Sequence, residues 1–412
     1  MRHAAFRRLW TAGLVSTAGD WLLFIALPVV VYQRTGSTFG TSVAFLLELL
    51  PGVLLAPLAG RGADRWDRRR VLIGVAVAQA VALAPLLIAG DGGLGVLYLV
   101  IVLQAALTAL DEPARHALLP ALVDPDEVLA ANSWNATGEN LARLVGGPIG
   151  GVLLAVGGLH LIVLVDMATY VAAAALLATM GSATCARVRT PGRGGGPGGM
   201  RDVLAVRDVR ATLGTIFLTA VAQGVFVVVF VVFVTGRLDG GAGAVGLLRG
   251  LQAIGAIVGA IALAVVASRF RPRTLVAVGA LAFGVLDLAI WNGPAVTTAL
   301  PVYVVGFALA GAPGVVVGSA MLSALQTDAP GHLLGRTFGL AGLATNSGQA
   351  LGMLAAGVLT VPLGLTAVLD GQAGMYLLAG ALAARGAIRS AGRAGSSSRA
   401  QESARRPSHF LA

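Results

Sequence analysis

About twelve apolar stretches follow one another along the chain, and each is long enough to cross a lipid bilayer as a helix. Only 12% of the 412 residues are charged, about half the share usual in a soluble domain. The predicted spans cover residues 9–33, 39–60, 71–90, 94–111, 137–157, 159–181, 211–235, 243–267, 274–292, 296–323, 337–361 and 368–387. Because backbone groups in lipid must be hydrogen-bonded within the chain, the sequence predicts an all-α membrane protein with 12 transmembrane helices.

Arginine determines the predicted orientation. All 29 basic residues are Arg, and the loops opposite the termini offer only Arg34 and Arg237. Cytoplasmic loops are enriched in basic residues, so both termini are predicted to lie in the cytoplasm. Arg without Lys, with abundant Ala and Gly, indicates a GC-rich bacterial genome. The expected location is the bacterial inner (plasma) membrane. The net charge of +10 is assigned to topology and to contact with the lipid bilayer. Because Arg is scattered over many short loops, no nucleic-acid partner is predicted.

A polar, glycine-rich stretch at 193–199 separates the spans into two sets of six. The two sets repeat each other: Leu46-Leu47-Glu48 is answered by Leu247-Leu248-Arg249, and the glycine-rich face at 142–147 by the one at 348–352. Parallel repeats around a central site are one way to build a transporter. We therefore predict two six-helix bundles, at 1–181 and 211–388, a cytoplasmic linker at 182–210 and a disordered basic tail at 389–412.

The loop between spans 2 and 3 carries a charged motif of six residues: Gly60, Asp64, Arg65, Asp67, Arg68 and Arg69. In this position the pattern Gly-x-x-x-Asp-Arg-x-x-Arg-Arg resembles motif A of the major facilitator superfamily, whose fold matches the predicted spans along almost the whole chain. Asp67 departs from the broad pattern, which has Gly there, and is similar to the branch that contains macrolide-efflux and siderophore-efflux proteins. That branch is also similar at Phe6-Arg7-Arg8-Leu9-Trp10, Gly19-Asp20-Trp21, Pro28 and 140–146.

The resemblance implies that this motif forms a gate. Asp64 is expected to accept backbone N–H groups at the start of span 11, near residues 336–338, where the helix dipole favours an anion. The motif arginines are expected to pair with nearby acids such as Asp67, Asp111 and Glu112. Such contacts would close the cytoplasmic side and hold an outward-open state. The alternative is that the arginines only determine topology.

The segment 146–151 of span 5, Gly-Gly-Pro-Ile-Gly-Gly, resembles the antiporter motif of drug exporters, with one residue fewer between Pro148 and the glycine pair. Small residues let helices approach closely, and proline can bend a helix. The resemblance implies a span 5 that rocks against span 8. Ordinary tight packing is the alternative.

Two acidic residues are predicted near the middle of the membrane. Asp20 lies about 11 residues into span 1, and Glu48 about 10 residues into the oppositely directed span 2, which places both about 15 Å deep. Charges at that depth usually face a cavity or a partner. Together they could bind and release a proton, as a proton-driven exporter requires. The alternative is that each is merely hydrogen-bonded, for example to Ser16 or Ser42.

Glu139 and Arg143 complete the candidates for proton coupling. They stand four residues apart on span 5 and are predicted to pair, with Arg143 also expected within reach of a carboxylate on span 1 or 4. Arg249 in span 8 is expected to pair with an acid across the cavity or to meet an anionic substrate. Two other acids are predicted away from the cavity, Asp166 at the outer surface and Asp287 on a peripheral helix.

Polar amides and aromatic residues on the cavity spans are the candidates for substrate contact, because amides offer hydrogen bonds and aromatic rings offer apolar surface. The alternative for each amide is an interhelical bond. The predicted set is Trp21, Phe24, Gln104, Gln223, Phe226, Phe230, Arg249, Gln252, Asn346 and Gln349.

The sequence contains no phosphate-binding loop, no metal-ligand cluster and no catalytic set, so neither an enzyme nor a cofactor is predicted, only a proton gradient as the driving force. We expect a monomer that exports a small lipophilic molecule, such as a drug or secondary metabolite, in exchange for protons. Uptake or facilitated diffusion by the same fold is the first alternative. A non-transporting membrane receptor or scaffold is the second.

Overall fold

Helices form the regular structure of the described residues, which confirms the predicted all-α fold. A computed structural model describes residues 4–65, 67–88, 93–124, 127–180, 200–266, 269–330 and 333–404. Within these ranges it leaves out the side chains at 56–65, 129, 130, 133, 136, 266 and 387–404. Residues 182–199 of the predicted linker (182–210) and residues 405–412 of the predicted tail lie outside the described residues.

The first half of the chain forms five helices, of which α4 runs beyond its predicted end at 111 and α5 begins before its predicted start at 137: α1 Ala4–Thr35, α2 Thr38–Arg65, α3 Arg68–Ile88, α4 Leu94–Leu118 and α5 Val128–Ala178. The second half forms α6 Met200–Ala205, α7 Arg207–Gly236, α8 Ala242–Val266, α9 Pro272–Asn292, α10 Leu300–Asp328, α11 Leu334–Leu363 and α12 Leu365–Ala404. Short 3₁₀ turns lie at Leu119–Ala121 and Gly293–Ala295.

The helix α5 contains two crossings, because the chain reverses at Gly158. This glycine has φ 64° and ψ −168°, outside the helical region. Trp10 donates a hydrogen bond to the carbonyl of Trp134 at 2.8 Å, and Arg8 donates one to the carbonyl of Thr179 at 2.7 Å. Residues 134 and 179 would be about 68 Å apart along one straight helix, yet both lie beside the start of α1.

Ten helices of the described residues are long and apolar enough to cross a membrane. Counting α5 twice, and adding the 30 residues of α11, the fold is consistent with the twelve predicted crossings. The helix α12 continues to Ala404, so helix occupies most of the segment that the sequence predicts to be a disordered tail.

The helices pack into two groups, α1–α5 and α7–α12. One apolar core lies within the first group, and the core of the second group extends to Ile25, Val29 and Phe45 of the first. Contact between the groups runs mainly through α5 with α8 and through α2 with α11. We call the end of the fold that carries the α2–α3 turn the basic end, and the end that carries the α1–α2 turn the opposite end.

Candidate functional site

A cavity of about 850 Å³ lies between the two helix groups. That size is typical of a site for a drug-sized ligand. Its walls are mostly apolar, and the predicted substrate-contact residues that line it are Trp21, Phe24, Gln223, Arg249, Gln252 and Gln349. Glu48 and Arg143 line it as well.

The main cavity extends toward the basic end. Phe338 lies four residues from the first residue of α11, Leu325 lies three residues from the last residue of α10, and both line the cavity. At the opposite end the two groups are in contact, because Ser42 of α2 donates a hydrogen bond to the carbonyl of Met353 on α11. The two groups are therefore joined at the opposite end, and the described lining of the cavity reaches toward the basic end.

The glycine motif of α5 makes the second contact between the groups. A Cβ added to Gly151 would lie 2.7 Å from the carbonyl oxygen of Ala242, and one added to Gly246 would lie 3.0 Å from the Cα of Gly151. Another face of the motif packs on α1, where a Cβ on Gly146 would lie 2.7 Å from the carbonyl oxygen of Ala18. These backbone approaches require glycine, and they place α5 against both α1 and α8. The rocking of span 5 against span 8 stays a prediction.

A second cavity, of about 360 Å³, is lined by the two acids that the sequence places near the middle of the membrane. Asp20 and Glu48 line it together with Gln104 and, from the second group, Asn346. Glu48 lines both cavities. It is thus the acidic side chain through which the two cavities adjoin.

Asp20 is held by an aromatic hydroxyl. Tyr170 lies in the second arm of α5, the part after Gly158, and donates a hydrogen bond to the Asp20 carboxylate. The Tyr170 hydroxyl oxygen also lies 3.4 Å from Oε1 of Gln104. Gln104 in turn donates to the backbone carbonyl of Gln79 at 3.0 Å. This network joins α1, α4 and the second arm of α5 around one titratable group.

Asp166 does not lie at the outer surface, and that prediction is wrong. Its side chain is 0% exposed, and a Cβ on Gly19 would overlap its carboxylate. Thr169 donates a hydrogen bond to its Oδ1 at 3.0 Å. The helical turn that carries Asp166 also carries Tyr170, so this acid is buried next to the Asp20 network.

The second half repeats this network with amides. The hydroxyl of Tyr376 on α12 donates to Oε1 of Gln223 on α7 at 3.4 Å. This pair corresponds to Tyr170 and Asp20 in the first half. Gln372 stands four residues before Tyr376, as Asp166 stands four before Tyr170. The first half therefore carries acids at positions where the second half carries glutamines.

Asp287 belongs to a separate buried group. Its side chain is 2% exposed and accepts a hydrogen bond from Nε2 of Gln372 at 2.9 Å, while Trp291 donates to Oε1 of the same amide at 2.9 Å. Asp287 is not among the lining residues of either cavity. It lies between α9 and α12, away from the cavities as predicted.

Phe226 and Phe230 do not line the cavity, contrary to prediction. Their side chains are 3% and 1% exposed and belong to the core around α7. The guanidinium carbon of Arg249 lies 4.8 Å and 5.3 Å from the centres of these two rings. The two rings therefore pack against Arg249 from the side of the apolar core. The rotation of α7 turns this face toward the core and not toward the cavity.

The predicted pairing of Glu139 with Arg143 is also wrong. Glu139 accepts a hydrogen bond from Asn135 at 2.7 Å and lines neither cavity. Arg143 donates to Oδ1 of Asn140 at 2.9 Å and faces the main cavity. Polar neighbours one turn away thus take the place of the expected ion pair.

The gate motif is described only in part, because the contacts of Gly60 and the side chains of Asp64 and Arg65 lie outside what the structure describes. Arg68 donates to the carbonyl of Ala117 at 2.7 Å, at the end of α4. Arg69 donates to the carbonyls of Leu177 and Ala178 at 2.9 and 2.6 Å, at the end of α5. Basic groups are favourable at helix C-termini, where carbonyls have no intrahelical partner.

These contacts correct two expectations, namely that Arg69 pairs with an acid and that Asp111 pairs with an arginine of the motif. The described hydrogen bonds of the Arg69 side chain go to carbonyls, and Asp111 pairs with Arg115 at 2.7 Å. Asp67 instead caps α3, because its Oδ1 accepts the backbone N–H groups of Arg69 and Arg70 at 3.0 and 3.3 Å. The described part of the motif therefore ties helix ends within the first group.

Replacing Asp67 by Ala should destabilise the start of α3, since the two capped N–H groups lose their acceptor. We expect a loss of about 1 kcal/mol and a fall of about 2 °C in the thermal unfolding midpoint of the detergent-solubilised protein. Asp67→Asn keeps the acceptor oxygen and serves as the control, with an unchanged midpoint. An equal fall in both variants would mean that the charge, rather than the cap, stabilises this turn.

Tyr170 and Tyr376 were missed by sequence reasoning. The signal that could have found them is the repeat itself, since each tyrosine follows a polar residue by four positions on the last crossing of its half. Hydropathy alone hides them, because a single tyrosine barely changes the mean of a span.

Comparison with known proteins gives a consistent result. A family model described as "transmembrane secretion effector" matches residues 1–408. The multidrug efflux pump Tap of Mycobacterium tuberculosis is 33% identical over 407 residues, covering 93% of this chain and 93% of the relative. Macrolide efflux protein A of Streptococcus pyogenes is 26% identical over 189 residues, 45% of each chain.

Solved transporters share the fold. A bacterial homologue of the iron transporter ferroportin, in an inward-facing state, has a TM-score of 0.74 at 17% identity and covers 92% of this chain and 98% of its own. A bacterial homologue of the lysosomal transporter Spinster, inward-facing and unoccupied, has a TM-score of 0.70 at 15% identity, with 92% and 95% covered. At such identities the likeness concerns the fold alone.

Proposed function

The chain belongs to the transmembrane secretion effector family of the major facilitator superfamily, and on this basis we propose that it exports a small lipophilic molecule in exchange for protons. It is a multi-pass transporter of a bacterial membrane and not an enzyme. Two relatives named as efflux pumps, one of them matched over nearly its full length, support export rather than uptake.

The basic end faces the cytoplasm in this proposal. The arginine-rich loops lie there, and the positive-inside rule assigns them to the cytoplasmic side. A main cavity that extends toward the basic end then corresponds to an inward-open state, ready to take substrate from the cytoplasm or the inner leaflet. Separation of α5 from α8 and of α2 from α11 would open the opposite end.

Coupling to protons rests on one observation: Glu48 lines both the substrate-sized cavity and the small cavity that holds Asp20. Protonation of these carboxyls removes negative charge from the interface between the cavities. Substrate in the main cavity and a proton at this pair can therefore influence the same conformational equilibrium. A ligand shifts such an equilibrium only by its differential affinity for the two states.

Everted membrane vesicles test this function, because their cytoplasmic face points outward. A vesicle that contains the protein should take up a lipophilic fluorescent probe, N-phenyl-1-naphthylamine, when respiration acidifies its lumen. A protonophore should abolish that uptake, and vesicles without the protein set the background. Accumulation in right-side-out vesicles under an inward proton gradient would instead indicate an uptake transporter.

A further inference from the structure

The main cavity contains a cation whose described contacts include no acidic partner. Arg249 donates to Oε1 of Gln252 at 3.3 Å, and among the described residues no carboxylate lies within ion-pair distance of it. The predicted pairing with Asp20 or Glu48 is absent there. An arginine carries five N–H donors, so most of this guanidinium is left for another acceptor.

The Arg249 guanidinium lies over Phe226 and Phe230, on the wall of a mostly apolar cavity. A cation over an aromatic face gains about 0.5–2 kcal/mol, which is less than the cost of removing an unpaired charge from water. The two rings hold the guanidinium in one orientation, but they do not neutralise it. An anion in the cavity would do so with charge-assisted hydrogen bonds.

The rest of the cavity has the same electrostatic bias. Arg143 also lines it, and its described side-chain hydrogen bond goes to the neutral Asn140. Among the described lining residues the acid is Glu48, and it stands against two arginines. Glu48 and Arg249 occupy equivalent positions in the repeat, so the acid is on one wall and the cation on the other.

We propose that the substrate is an amphiphilic organic anion, whose carboxylate or sulfonate binds Arg249 beside Gln252 while its apolar body lies against Trp21, Phe24 and Phe45. This inference deepens the proposed export function and rests on it. The apolar lining explains why a lipophilic body binds, and the unneutralised guanidinium explains why an acidic head group adds affinity. The 850 Å³ volume accommodates both parts.

A pair of probes that share one ring system tests the head group. 1-Anilinonaphthalene-8-sulfonate is N-phenyl-1-naphthylamine with an added sulfonate, and the binding of each to the purified protein can be read by its fluorescence. Arg249→Gln should weaken the sulfonate probe roughly tenfold or more, since it removes hydrogen bonds to a charged group, and should leave the neutral probe's affinity nearly unchanged. Arg249→Lys should keep part of the sulfonate affinity, because it keeps the charge but loses the planar fork.

Arg237→Gln is the matched control, because this exposed arginine lies outside both cavity linings and its loss changes the net charge equally. It should alter neither affinity. Equal weakening of both probes by Arg249→Gln, or no weakening of the sulfonate probe, would overturn the inference. Export of the neutral probe by the wild-type protein tests the proposed function separately, so the two can fail independently.

A wild-type measurement covers the case in which the variant does not fold. Octanesulfonate and octyltrimethylammonium have the same alkyl chain and opposite charges, and each can be titrated against bound N-phenyl-1-naphthylamine below its micelle concentration. The sulfonate should displace the probe at roughly tenfold lower concentration. Equal displacement, or better displacement by the cation, would contradict an anion site.

Discussion

Replacing Asp20 by Asn should abolish efflux driven by a pH gradient while leaving probe binding in the main cavity intact. Asn keeps an oxygen that can accept the Tyr170 hydrogen bond, so the network of α1, α4 and α5 is preserved. It cannot release a proton, however. Asp20 lines the small cavity and not the main one, so the substrate walls are unchanged. In proteoliposomes with an imposed pH gradient, probe transport should fall to the leak rate of protein-free liposomes.

Asp287→Asn is the control for this experiment. The substitution is the same isosteric change, and Asp287 is also buried, at 2% exposure, and hydrogen-bonded to Gln372. Unlike Asp20, it lines neither cavity. This variant should keep gradient-driven efflux. Efflux that survives Asp20→Asn unchanged would remove Asp20 from proton coupling and leave Glu48 as the candidate. Loss of efflux in both variants would point to a general effect of removing a buried carboxylate.

Replacing Gly246 by Val should stop transport by preventing closure of the opposite end. The added Cβ would lie 2.7 Å from the carbonyl oxygen of Gly147 and 3.0 Å from the Cα of Gly151, and backbone atoms cannot move aside as a side chain can. Overpacking of this kind costs about 1–3 kcal/mol, and the upper value shifts a two-state equilibrium about 150-fold. The variant should therefore favour the state that is closed at the basic end.

Cysteine labelling can measure that shift, because Cys185 is the chain's single cysteine and can be replaced by Ser. A Phe338→Cys substitution then reports access to the main cavity from the basic end. Its labelling rate should fall when Gly246→Val is added. Gly243→Val is the matched control on the same helix, since a Cβ there meets nothing within 4 Å. Equal labelling and equal transport in the two variants would contradict a role for the α5–α8 contact in closure.

The chain's crossings could be predicted from the sequence because each depends on a local property. A run of about 20 apolar residues must enter lipid wherever it stands in the chain, so each predicted span largely coincides with a helix. The turn at Gly158 was equally accessible, since predicted spans 5 and 6 end and begin on either side of it. The glycine motif of α5 also signalled close packing correctly, because a missing side chain is itself the feature that permits contact.

Side-chain partners could not be predicted in the same way. The wrong placement of Phe226 and Phe230 has one cause: hydropathy gives the depth of a residue in the membrane but not the direction in which its helix face points. Glu139 and Arg143 satisfied the spacing rule for an ion pair, but nearby Asn side chains offered each of them a hydrogen bond instead.

Hydrophobic length and composition act locally, so they are enough to predict which segments cross the membrane, how the halves repeat and which few charges lie within the spans. The partners of those charges become visible only once the helices are packed. Asp20 accepts a hydrogen bond from Tyr170, which is 150 residues away along the chain. Arg249 packs on two aromatic rings instead of pairing with an acid. Such partners depend on how each helix is rotated and packed, and that is a property of all the helices together.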